Sequence, residues 1–149
     1  AVILGSVSSI VVGLDDAAEA AGGIATLTVP KIAINRTVYE STTVRVLKSG
    51  PGHSVWSARP GKPGHCVIFA HRTSHGGPFR KINLLAVGDA ITCGGLTYYV
   101  RKTEVIHRSQ KGRIFSYAAA TPSISLIACS KANGLPTSLA YRICVRASA

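Results

Sequence analysis

Four cysteines and five histidines are the side chains of this chain best suited to covalent chemistry. They are Cys66, Cys93, Cys129 and Cys144, and His53, His65, His71, His75 and His107. A thiol attacks as its thiolate, so it needs a partner that holds or handles protons and a position that substrate can reach. Cys129 meets the second demand. It ends the run Ser123–Ala128 and precedes the polar loop Ser-Lys-Ala-Asn-Gly-Leu-Pro, and strand ends on a rigid sheet are where reactive groups are displayed. Cys66 and Cys93 sit in or near apolar segments, and Cys144 lies between two arginines. Free cysteine is a common core residue, so spacing alone leaves the choice open. No CxxC pair occurs, which argues against a zinc ribbon or a thioredoxin-type site. The even count allows two disulfides; a free catalytic thiol leaves room for one at most.

His71 ends the run Val67–Ala70 and opens the loop Arg-Thr-Ser-His-Gly-Gly-Pro, with His75 four residues on. His-x3-His is a metal-ligand spacing on a helix. Gly76-Gly77-Pro78 opposes a helix there, and no carboxylate is near in sequence. No metal and no cofactor are therefore expected. A third component would be a cation to stabilise a developing oxyanion. Arg142 lies on the face of its segment opposite Tyr141, Ile143 and Val145; alternation alone reads it as a solvated arginine.

These groups must be held by short extended elements. Thr26–Ile34 is rich in Thr, Val and Ile and is interrupted by Pro30, which implies an edge or a bend. Val38 and Val44–Leu47 read as further extended pieces, and Ser49–Gly64 as a long loop. Cys66–Ala70 and Ser123–Ala128 are apolar runs of the length of buried strands. Ala90–Cys93 and Leu96–Ile106 flank Gly94-Gly95 and read as a hairpin. Pro78–Leu85, with Pro first and Phe79, Ile82 and Leu85 three apart, predicts the one helix of the body. Ala140–Ala147 alternates as a strand. Seven or eight short strands and one helix predict a small closed barrel.

The chain has 149 residues, 46% hydrophobic and 15% charged, enough for one domain and too apolar for intrinsic disorder. No apolar run reaches the ~18 residues of a membrane-spanning helix. Residues 1–30 carry Asp15, Asp16 and Glu19 and no Lys or Arg, so the remainder holds all 17 cations against three acids. Such a body favours anionic partners. A nucleic-acid-binding barrel would interleave aromatics with the cations. Aromatics are 6% of the chain, and only Tyr98-Tyr99-Val-Arg101-Lys102 has that look, so nucleic acid is not expected. Residues 1–24 read as an N-terminal extension or tether, with a short helix over Asp15–Ala21, and residues 25–149 as the catalytic domain. With Ala1 first and no Met, the apolar start is expected to be the outer end of a membrane anchor lost upstream.

Taken in order, Gly-Pro-Gly-His53, Pro60-Gly61, Val67-Ile-Phe-Ala-His71-Arg-Thr-Ser-His-Gly-Gly-Pro-Phe79, Gly88-Asp89, Ser125-Leu-Ile-Ala-Cys129 and Arg142 resemble the pattern of the sortases. These are cysteine transpeptidases on the surface of Gram-positive bacteria. The resemblance covers Ile24 to Ala147, and the stretch from His71 to Phe79 looks most like the class E branch of actinobacteria. One position departs: the family usually reads Thr-Leu-x-Thr-Cys, and here Ser125 keeps a hydroxyl while Ala128 has none.

The resemblance implies a mainly β fold, a closed sortase-type barrel of about eight strands with one or two short helices. It selects Cys129 among the cysteines, His71 among the histidines, and Arg142. It implies cleavage of an LPXTG- or LAXTG-like motif between Thr and Gly through a thioester on Cys129, with His71 as acid and Arg142 at the oxyanion. The loops Ile106–Pro122 and Ser130–Leu139 would shape the groove. The partners implied are sorting-motif proteins and an amine, from lipid II or a pilin lysine, and the implied state is a monomer at the cell surface. A pilin polymerase is the alternative, then a catalytically weak or non-enzymatic basic barrel. The Asp-Pro-aromatic signature of an N-terminal lid is absent, and no acidic cluster suggests the calcium site of some class A sortases.

Overall fold

The computed structural model describes residues 23–149; the leader helix expected at 15–21 lies outside them. Eight strands occur in chain order: β1 Gly23–Val29, β2 Ile34–Glu40, β3 Gly52–His53, β4 His65–Phe69, β5 Ala90–Cys93, β6 Leu96–His107, β7 Ser123–Ser130 and β8 Tyr141–Ser148. They close into a barrel in the order β1-β2-β3-β4-β7-β8-β6-β5. The pairs β2·β3 and β4·β7 are parallel and the others antiparallel.

Local chemistry explains most of these boundaries. Pro30 stops β1 and opens a 3-10 turn over Pro30–Ile32, so the interrupted Thr26–Ile34 stretch becomes two strands. The Gly94-Gly95 hairpin forms as expected, with both glycines at positive φ, 64° and 80°, the conformation that matches the strand twist. Val44–Ser49 is helix α1, not extended. Thr43 caps it by accepting from the Val46 N–H at 3.3 Å, and a cap of this kind outweighs the modest β preference of two valines.

The helix expected over Pro78–Leu85 shrinks to a 3-10 turn at Ile82–Leu84. Phe79, Ile82 and Leu85 are buried as their pattern required, but a spacing of three is the 3-10 period. The second helix, α2, is Lys111–Phe115, in a segment that reads as loop.

Two cores follow from strand alternation. Inside the barrel lie Cys66, Ile68, Ile124, Leu126, Ala128, Ile143, Val145 and Ala147, with Phe79 and Ile82 among them. On the outer face a smaller cluster joins Val67, Ile127, Ile106 and Cys144 to Ile114 of α2, with Phe69 at its margin. Each fully buried isoleucine contributes about 1.5–3 kcal/mol. Ile114 therefore holds α2 as a partial second layer on β4, β7, β8 and β6.

Candidate active site

The topology brings the candidate residues to one edge. Parallel strands end at the same edge, so β4 and β7 deliver their C-terminal residues side by side. Phe69 pairs with Ile127, and the Ala70 N–H donates to the Ile127 carbonyl at 3.2 Å. Two residues further along each strand are His71 and Cys129. β8 runs the other way, so its start lies at that edge, and Arg142 is the register partner of Cys129. A cavity of about 220 Å³ is lined by Cys129, His71 and Arg142, with Phe69, Ile127 and Leu47 among its other walls.

All four cysteines are free thiols, and Cys129 alone among them is not fully buried. Burial pushes the Cys66 thiol far up, Cys93 to about 12 and Cys144 to about 11. Those three are held as neutral thiols in the apolar clusters.

His71 is partly buried. Its Nδ1 lies 3.1 Å from the Ser74 hydroxyl, while its Nε2 is buried with no hydrogen-bond partner among the described residues. An imidazole nitrogen left unpaired costs free energy unless something arrives to pair it. The His75 ring packs on it at 4.7 Å between centroids, and His75 Nδ1 shares the Ser74 hydroxyl at 3.2 Å. Burial lowers the His71 pKa, and the neighbouring His75 lowers it further.

Arg142 anchors its guanidinium through Nη1, which donates to the Leu139 carbonyl at 2.9 Å and the Tyr141 carbonyl at 3.0 Å. Among the described residues its Nε and Nη2 have no partner, so their N–H groups remain available to a substrate oxygen. The side chain is half-buried, not freely solvated as alternation alone would have it.

Two further arginines escaped sequence reasoning. Arg72 is only 2% exposed. Its Nη1 donates to the Cys129 carbonyl at 2.9 Å, its Nη2 to Gly134 O and Asn83 Oδ1 at 2.8 Å each, and its Nε to Arg80 O at 3.0 Å. One side chain thus ties the backbone beside His71 to that of Cys129 and to the loop beyond it. Gly77 permits this packing: its φ is 52°, and a Cβ there would lie 2.9 Å from the Arg72 carbonyl.

Arg146 is fully buried on the outer face of β8. It donates to Glu104 Oε2 at 3.0 Å, to Ser125 Oγ at 3.0 Å, and to the Ile114 and Arg113 carbonyls of α2. Ser125 Oγ in turn lies 2.7 Å from His65 Nε2, and His65 Nδ1 donates to the Phe115 carbonyl at 3.1 Å. The Ser125 hydroxyl therefore holds α2 in place, while Ala128 points into the barrel core. A charged residue type argues for the surface, and only contact with its acceptors shows otherwise. Among the described residues no group of three or more His, Cys, Asp or Glu could hold a metal ion.

Comparison with known proteins bears on the family and the fold. A family model described as the Sortase domain matches residues 27–149. Sortase A from Corynebacterium diphtheriae is 26% identical with a TM-score of 0.73, over 85% of this chain and 60% of that one, so the chain spans less than two thirds of that relative. The Clostridium perfringens sortase D5 transpeptidase is 27% identical with a TM-score of 0.71, over 85% of this chain and 78% of that one. Sortase E from Streptomyces avermitilis, 24% identical with a TM-score of 0.72 over 85% and 86% of the two chains, shares the fold. A search of curated proteins finds no match. With a closed eight-stranded barrel and a family model covering nearly all of the described residues, this chain belongs to the sortase family.

Proposed function

We propose that this chain is a cysteine transpeptidase that cleaves an LPXTG- or LAXTG-like sorting motif between Thr and Gly and joins the Thr to a cell-wall precursor amine. Cys129 as thiolate attacks the Thr carbonyl, and the Nε–H and Nη2–H of Arg142 receive the oxyanion. The C–N bond breaks as His71, an imidazolium, gives its proton to the leaving glycine amine. A thioester remains on Cys129. An incoming amine attacks it, the C–S bond breaks, and the proton released by that amine returns to His71. The observation that carries this reading is the single cavity lined by Cys129, His71 and Arg142, with an unpartnered His71 nitrogen beside it.

The run His71-Arg72-Thr73 to Gly77-Pro78-Phe79 supports a class E assignment. The sortase family generally works at the cell surface of Gram-positive bacteria, and we place this chain there. Among the described residues no helix is long and apolar enough to cross a membrane. The test is cleavage of motif peptides with an amine acceptor added. His71→Ala and Arg142→Ala should each lower the rate by ~10²-fold or more. Full turnover in either variant would remove that residue from the mechanism.

A further inference from the structure

Beside the Cys129 cavity a larger groove of about 770 Å³ opens on the outer face, between α2 and the end of β6. It shares Phe69 and Arg142 with the smaller cavity, so the two are adjacent. The groove has an apolar floor of Phe69, Ile114 and Phe115, the two phenylalanine rings 5.8 Å apart. Its rim carries Arg108, Lys111 and Arg142, and among the described residues no Asp or Glu lines it.

Among the described residues the acidic side chains are engaged elsewhere. Glu104 is taken by Arg146, Lys102 and Arg113, Asp89 by Lys31, and Glu40 by His53 and Arg59. Among the described residues the side chains of Arg108 and Lys111 have no hydrogen bond or ion pair. Arg113, in the same helix as Lys111, has both. Unpaired cations clustered along the rim of a groove attract an anion more strongly than the same cations scattered over an open surface.

We propose that this groove selects donor peptides carrying a carboxylate side chain, and that Arg108 and Lys111 are the residues that read it. The inference rests on the transpeptidase reading for the occupant: a peptide whose carbonyl lies at Cys129 continues as an extended chain. At ~3.3 Å per residue with alternating faces, such a peptide sets an apolar side chain on the floor and an acidic one against the rim. An acceptor bearing phosphate is the rival occupant.

The experiment uses the whole chain as Cys129→Ala and fluorescent sorting-motif peptides. A single Glu, Gln or Lys is moved through the residues preceding the threonine, and binding is read by anisotropy. At one position or two, Glu should bind about fivefold tighter than Gln, and Lys weaker than Gln. The preference should shrink at about 0.5 M salt and vanish in Arg108→Gln/Lys111→Gln. Equal binding of Glu and Gln at every position, or a preference surviving in the double variant, overturns the proposal. So does an absence of binding, or inorganic pyrophosphate binding the groove while the peptides show no preference. The readout needs no turnover. A preference for Glu peptides in Cys129→Ala, with no cleavage by the unsubstituted chain, would refute the transpeptidase reading and leave the groove assignment standing.

Discussion

The unpaired Nε2 of His71 sets the pH behaviour of the proposed chemistry. Burial and the stacked His75 both disfavour the imidazolium. A catalytic acid with a lowered pKa is protonated in a smaller fraction at neutral pH, and its activity falls as pH rises through that pKa. Replacing His75 by Ala removes one of the two causes. The alkaline limb of kcat/KM should therefore move to higher pH in His75→Ala, with the maximal rate far less affected than in His71→Ala. A limb that stays in place, or moves down, would show that His75 does not tune His71. In the sequence His71 ends a strand and His75 lies in the loop four residues on, and spacing alone does not choose between them. What separates them is that one follows a strand directly into the Cys129 cavity, while the other is exposed in a turn at φ 51°.

At the scale of elements, the end of β7 is held by a side chain from another segment. In Arg72→Met four oxygens lose their donor at once, among them the carbonyl of Cys129. An unsatisfied buried group costs about 1–3 kcal/mol, and of the four bonds the one to Gly134 is fully buried, so the variant should lose about 2 kcal/mol or more in denaturant unfolding. Arg72→Lys keeps the charge but not the planar fork and should fall between. A loss below about 1 kcal/mol in Arg72→Met would contradict this role.

The docking of α2 should be sensitive to acid. His65, linked to Ser125 Oγ and the Phe115 carbonyl, has its pKa lowered by burial. The unfolded chain takes up this proton near pH 6.5 and the folded chain resists it. The stability this group contributes is therefore present above pH 6.5 and is lost as pH falls below that value. His71 acts in the same direction. Melting temperature should drop between pH 7.5 and about pH 5, and His65→Gln should flatten that slope; an unchanged slope in the variant would exclude His65 as its source. The sequence pattern shows β7, β8 and the Gly94-Gly95 hairpin because alternation and turn chemistry are local. It hides α2, Arg72 and Arg146, because their burial depends on a second layer that covers what would otherwise be a solvent face.

Over the whole molecule, the assembly of the site rests on long-range pairing. β4 and β7 are parallel neighbours separated by a hairpin and a helix in the chain. Periodicity around His71 and Cys129 carries no record of the Phe69–Ile127 register that sets them level. Resemblance to the sortases supplied that link in the sequence; the barrel supplies it physically, by ending two parallel strands and starting an antiparallel one at a single edge. The central claim is that this edge performs acyl transfer through one thiol. The most direct measurement is the intact mass of the chain after incubation with a motif peptide, without acceptor, and an acid quench. The expected result is a mass increase equal to the peptide fragment ending in threonine, mapping to Cys129, absent in Cys129→Ala and lost when an amine is added. No adduct on the unsubstituted chain, or the same adduct in Cys129→Ala, would contradict it.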